Sequence, residues 1–261
     1  MLGGHTDAMR LKATFLPAIL LVLATVGSLL IFNRMTERAS TVSREDPPPD
    51  VSYEAAQQFI EADRKDLAKR LAAAGTEKER KSVLEEAHRA FASGICGRLA
   101  PWWKGTPWDF NGITQIPGQG KIACGYYVST LLKHAGLNVE RVRLAQQASL
   151  HIIQSLIGND ERVKGHGVPL PVFVDRIRAR GQGLYIVGLD NHTGFIWNDG
   201  AEVWFLHSTV AGPCCVVKER AEVSAVLGTS KFRVAGYLSG NDALMKAWLN
   251  GQFLPTKLPG A

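Results

Sequence analysis

The dipeptide Asp199-Gly200 constrains this chain more tightly than any other feature. It sits between two apolar runs, Gly194 to Asn198 and Ala201 to Ser208, and reads as a two-residue β-hairpin turn. Across such a turn residues pair when their numbers sum to 399, and His192 and His207 meet that condition. They are expected to be direct cross-strand partners on one face, with Cβ atoms about 4.5 to 5.5 Å apart. A loop of odd length would send them to opposite faces, because side chains alternate along a strand.

A thiol stands where such an imidazole pair could use it. Residues 122 to 135 read as a helix with an apolar stripe through Cys124, Tyr127, Val128, Leu131 and Ala135, stopped by Gly136. Cys124 falls in the first turn, where unpaired amides and the positive dipole end favour a thiolate, and the approach Pro117-Gly118-Gln119-Gly120 is expected to leave the sulfur accessible. By the logic of thiol catalysis, His192 takes the proton from Cys124 while His207 fixes the tautomer and position of His192. The competing reading of Cys124 is a buried helical cysteine acting as a small hydrophobe.

These residues resemble the NlpC-type cell-wall peptidases of the papain-like cysteine peptidase superfamily. The resemblance covers roughly residues 100 to 240. It rests on Gly105-Thr106-Pro107-Trp108 ahead of the nucleophile and Ala123-Cys124-Gly125-Tyr126-Tyr127 opening a helix. On the strand side it rests on His192-Thr193-Gly194-Phe195-Ile196 and Phe205-Leu206-His207-Ser208. It implies Cys124 as nucleophile, His192 as general base and His207 as the third polar group, with Trp108 near the position of a site-lining tyrosine. The family usually has an acidic residue before the nucleophile and a serine after it, whereas Ala123 and Gly125 stand here, and the segment from Trp108 to Cys124 is somewhat long. Trp108, Tyr126 and His166 are the expected substrate-lining residues, His166 because it lies in the polar, glycine-bearing loop Asn159 to Gly167 that is expected to border the cleft.

The segments before this core read differently. After a short flank of residues 1–12, Ala13 to Phe32 is uncharged and apolar over about the length that crosses a bilayer, with Arg10 and Lys12 before it and Asn33-Arg34 after. An uncleaved single-pass anchor is expected here; a cleaved signal peptide is the alternative, although the run is longer than a usual h-region. Residues 33–50 end in Pro47-Pro48-Pro49 and read as a semi-rigid linker. Residues 51–95 are charged, alanine-rich and free of proline. They are expected to form a helical arm of two helices broken near Gly75-Thr76, where Thr76 and Glu79 make a capping box. That arm either covers one side of the core or offers a surface to a protein partner.

Within 96–240, Val139 to Ile157 reads as helical or mixed, Val168 to Val174 and Leu184 to Leu189 as strand or buried runs, and Phe232 to Leu238 as a strand. With the Asp199-Gly200 hairpin they give an antiparallel sheet packed on the nucleophile helix, hence an α+β class. The tail 241–261 holds a short helix around Ala243 to Leu249 and then a loose end. Cys96 is able to bridge to Cys214 or Cys215 in an oxidising compartment, and the sequence leaves the pairing open. His207, Cys214 and Cys215 lack the paired spacing of a metal site, so no metal or cofactor is expected.

A hydrophobic fraction of 46% suffices for a sizeable core. The net charge of +6 is spread among acids without a lysine or arginine cluster, which argues against nucleic acid and fits anionic headgroups or envelope polymers better. The chain therefore reads as a membrane-anchored, extracytoplasmic cysteine hydrolase that cuts an amide bond, with the peptide part of peptidoglycan as substrate. Transfer of the acyl group to an acceptor other than water would use the same residues. A catalytically silent envelope-binding scaffold of the same fold is the alternative from another class.

Overall fold

The computed structural model describes residues 51–158 and 162–258. The expected anchor at 13–32 and linker at 33–50 lie outside the described residues. Among those described, no helix is long and apolar enough to cross a membrane.

The chain is α+β. The described residues begin with α1 (Tyr53–Ala73) and α2 (Glu77–Ser93), and the break between them forms as the sequence requires. Thr76 accepts from the Glu79 N–H at 3.2 Å, while the Glu79 carboxylate accepts from the Thr76 and Gly75 N–H groups at 2.9 and 2.8 Å. The apolar faces of both helices, through Ile60, Leu67, Leu84, Ala87 and Phe91, are buried in the main core. That burial fastens 51–95 to the rest of the core, and Arg64 adds hydrogen bonds to the carbonyl oxygens of Trp248 and Leu249.

A π-helical turn, Gly94–Leu99, and α3 (Ala100–Trp103) lead into a long loop and then α4 (Cys124–His134). After α4 come α5 (Arg141–Ala145), α6 (Ser149–Ile157), strand β1 (Arg162–Lys164) and α7 (Leu170–Arg180). The expectation of a strand at Val168 to Val174 is thus corrected. Pro169 and Pro171 flank a helix start, and Phe173, Val174 and Ile177 recur at helical spacing to bury one face. Asn159 to Gly167 is corrected too, since residues 162–164 are an edge strand rather than loop.

The remaining strands are β2 (Gly183–Leu189), β3 (Thr193–Asn198), β4 (Val203–Ser208), β5 (Val216–Arg220) and β6 (Arg233–Tyr237), with α8 (Ala225–Thr229) before β6 and α9 (Asp242–Leu249) after it. They form one sheet in the order β1-β6-β2-β3-β4-β5, every neighbour antiparallel. Both faces are covered. Leu184, Ile186, Phe195, Leu206 and Val234 join the core built with α1, α2, α4 and α9. The alternate residues Tyr185, Val187, Ile196, Phe205 and Ala235 pack with Phe173 and Ile177 of α7 in a second core. This alternation is the period-two signature of strands.

The tail is not loose through residue 257. Trp248 packs edge-on to Phe91 and donates to the Ala135 carbonyl at 2.7 Å. The Lys257 N–H reaches the Ser155 hydroxyl at 2.9 Å. All four cysteines are free thiols, so no bridge joins Cys96 to Cys214 or Cys215.

Candidate active site

The β3–β4 turn holds four residues, not two. Asp199 folds its carboxylate back, Oδ1 accepting from the Ala201 and Glu202 N–H groups at 2.9 and 2.7 Å and Oδ2 from the Trp204 indole at 2.8 Å. Together with the Asp199 N–H donating to the Glu202 carbonyl at 3.1 Å, this local capture of backbone donors sets the turn one residue later than expected. Phe195 faces Leu206 and Asn198 faces Val203, so paired numbers sum to 401 and His207 lies opposite Gly194. The direct pairing of His192 with His207 is therefore corrected to a diagonal one. An even loop keeps both on one face, and the His192 Nε2 and His207 Nδ1 atoms meet at 2.9 Å.

Gly194 makes that meeting sterically feasible. A Cβ there would lie 2.7 Å from Phe205 Cε2 and 2.8 Å from His207 Cβ, in the space those two side chains occupy. The Phe205 ring stacks on the His207 ring at 3.9 Å and stands edge-on to His192 at 6.2 Å. The imidazoles are thus clamped from the side as well as hydrogen-bonded.

Behind His207 stands a residue that the sequence reading missed. The Glu219 Oε1 atom is 3.2 Å from His207 Nε2 and accepts the Ser224 hydroxyl at 2.5 Å, while Ser224 Oγ in turn accepts the Leu227 N–H at the start of α8. Burial works to raise the Glu219 carboxyl, and the hydrogen bonds from His207 and Ser224 outweigh it and hold the group below its ordinary range. Burial lowers His207 despite Glu219, and it lowers His192 to about 3. The carboxylate is charged and both rings are neutral at neutral pH.

These states fix the tautomers. A carboxylate only accepts, so His207 carries its proton on Nε2 and offers the Nδ1 lone pair. His192 must then donate through Nε2–H, which leaves its Nδ1 bare. The polarity runs from His192 to the carboxylate, and the nitrogen left over is a base.

The thiol is brought to the same cleft by α4. Loop 104–123 is tied to β5 by the Gly105 N–H to the Val216 carbonyl and by the Val216 N–H to that of Thr106, both at 2.9 Å. It is tied to β4 by the buried Ser208 hydroxyl donating to the Ile122 carbonyl at 2.7 Å. Ala123 supplies no side-chain cap to α4, so the first-turn amides are left for the sulfur. The backbone amides of Cys124, Gly125 and Thr193, the last adjacent to His192, act to lower the Cys124 thiol. Gly125 has no room for a side chain, because a Cβ would lie 2.3 Å from the Ala145 carbonyl oxygen of α5.

The expected thiolate is corrected as well. Cys124 is partly buried, and desolvation pushes its thiol above the ordinary value against the pull of the three amides. The thiol of Cys124 and the imidazole of His192 are thus both neutral at neutral pH.

Cys124 and His192 line one cleft of about 920 Å³ with Trp108 and Tyr126, so these four expected residues come together there. His207 is buried one layer behind. His166 is not among the lining residues: it follows edge strand β1, is exposed, and its ring lies 6.4 Å from that of Phe232. Among the described residues no three His, Cys, Asp or Glu side chains are grouped to hold a metal ion. No protein-family model, curated protein or solved structure matches the chain.

Proposed function

We propose that this protein is a cysteine hydrolase of the papain-like, NlpC type that cleaves an amide bond through a thioester on Cys124. The observation that carries this reading is the hydrogen-bonded line from Glu219 through His207 to His192, a residue that lines the same cleft as the Cys124 thiol. His192 Nδ1 takes the Sγ proton as sulfur attacks the carbonyl carbon, and the new imidazolium is balanced by the Glu219 charge relayed through His207. The Cys124 N–H stabilises the developing oxyanion. His192 returns the proton to the leaving nitrogen as the C–N bond breaks. Water, deprotonated by the same imidazole, then cleaves the thioester to a carboxylic acid and the free thiol. Since the pair is neutral at rest, proton transfer accompanies attack instead of preceding it.

The peptide part of peptidoglycan is the substrate that the family resemblance suggests, and the apolar run at 13–32 would hold the enzyme at a membrane facing it. An amine acceptor in place of water would turn the same steps into acyl transfer.

The test is to incubate the full chain with an activated acyl ester and digest it for mass spectrometry. The reading expects one acyl group on Cys124, none there in Cys124→Ser, and much slower acylation in His192→Ala. Acylation spread over Cys214 and Cys215 but absent from Cys124 would refute it.

A further inference from the structure

The cleft is nearly devoid of usable charge. No lysine or arginine lines it among the described residues, and Asp190 is its one carboxylate. That carboxylate is spent on the protein itself. Its Oδ2 accepts the Ser230 hydroxyl at 2.9 Å and the Lys231 N–H at 2.7 Å, and its Oδ1 accepts the Phe232 N–H at 3.0 Å. The cation whose charge acts on Asp190 is Lys231, which follows the lining Ser230 but is not itself part of the wall, and two others close to lining residues are held by partners. Arg141 lies over the Tyr126 ring with its guanidinium bonded to Thr130 Oγ1 and to the Ile113 and Thr114 carbonyls, and Lys121 is paired with Asp109 at 3.1 Å.

What the cleft offers instead is apolar surface. Phe110, Ile113 and Val210 line it while 79%, 59% and 61% exposed, three large hydrophobic side chains left open to water on the walls of one cavity. A cluster of this kind marks a ligand site more often than an isolated exposed residue does. Its volume lies at the upper end of small-molecule sites, well beyond what a single amide group fills.

We infer that the acyl side of the substrate is an uncharged, apolar group seated against Phe110, Ile113 and Val210. This inference rests on the thiol-hydrolase reading and narrows its substrate class. A carboxylate drawn into the cleft would lose water and meet no cation on its walls, whereas an alkyl or apolar side chain would cover surface that is otherwise wet. A peptide substrate therefore presents an uncharged residue, not one bearing a free carboxylate, on the side that is transferred to sulfur.

Two acyl donors of equal length isolate the charge. The full chain is assayed with p-nitrophenyl butyrate and with mono-p-nitrophenyl succinate. The expected kcat/KM is at least about 10-fold higher for the butyrate, a gap that Val210→Lys closes or inverts. Equal rates, or a preference of the unmodified chain for the succinate, would overturn the inference while leaving the hydrolase reading intact. A second readout needs no turnover: labelling of Cys124 by N-butyl iodoacetamide and by iodoacetate, each normalised to the exposed Cys214. A normalised preference of at least about 10-fold for the neutral reagent is expected. If that preference holds while neither ester is hydrolysed, the cleft chemistry stands and the hydrolase reading falls. If it is absent, the inference fails.

Discussion

His192 and His134 look alike by the usual measures, and only one is placed to act. Both are lowered by burial, His192 to about 3 and His134 to about 4, and both make one strong side-chain hydrogen bond. The direction of that bond separates them. Behind His134, the Trp103 indole donates to the Tyr53 oxygen at 2.8 Å, so the Tyr53 hydroxyl donates to His134 Nδ1 at 2.8 Å. The remaining nitrogen of His134 carries hydrogen. Behind His192 the line ends in a carboxylate, so His192 donates and its remaining nitrogen is a lone pair. An indole at the root makes a structural histidine, and a carboxylate makes a base. A large shift alone does not distinguish them.

The strongest attempt to break this contrast is to remove each ring. His192→Ala is expected to lower kcat for p-nitrophenyl butyrate by about 10²- to 10⁴-fold, the usual worth of a general base. His134→Ala should leave kcat unchanged and cost about 1–3 kcal/mol of stability in urea unfolding, because the Tyr53 hydroxyl loses its acceptor. Equal losses of kcat in the two variants would erase the distinction.

The roots of the two lines come next. Glu219→Gln keeps an acceptor for His207 but removes the charge that balances the imidazolium, so kcat should fall about 10- to 100-fold with KM little changed. Trp103→Phe should not alter kcat. Gly194→Ala strikes the clamp: its new methyl group would collide with Phe205 and His207, an overpacking expected to cost about 1–3 kcal/mol in thermal unfolding and to reduce kcat as His207 is displaced.

The smallest effect is shared. Each histidine has a folded pKa below its unfolded value, so its stabilising contribution is complete above about pH 6.5 and is lost as pH falls toward 3 to 4. By pH 5 the cost is on the order of 1–2 kcal/mol for each ring. Replacing either should flatten the acid slope of stability by a similar amount, read by denaturant titration at pH 5 and pH 7. A change from only one would mean that the other ring is hydrated.

Much of this arrangement was legible in the sequence, and the gaps have local causes. The α1–α2 break could be read because Thr76 and Glu79 form a self-contained motif, and the helix of Cys124 because its stripe has a clear period. The hairpin was read two residues out because Asp199 bonds its own turn, yet parity preserved the face and hence the His192–His207 contact. Glu219 was missed because the connection over 209–215 follows no short turn rule and hides the β4–β5 register. The one signal was alternation: in Val216-Val217-Lys218-Glu219, Val217 pairs with His207, so Glu219 shares that face. The raised Cys124 thiol was illegible, since a helix N-terminus reports the amides but not how far the surrounding loops desolvate the sulfur. The strand or buried run expected at 168–174 is a helix whose Phe173 and Val174 are buried, and its proline-flanked start was read as a plain apolar run.

The tautomer of His192 is the most direct test, and long-range ¹H–¹⁵N NMR of the histidine side chains reads it in the full chain. The arrangement requires His192 to be protonated on Nε2, bare on Nδ1 and uncharged from pH 8 down to about pH 4. A neutral His192 ring protonated on Nδ1 would contradict it, because that tautomer leaves Nδ1 no lone pair to take the Cys124 proton.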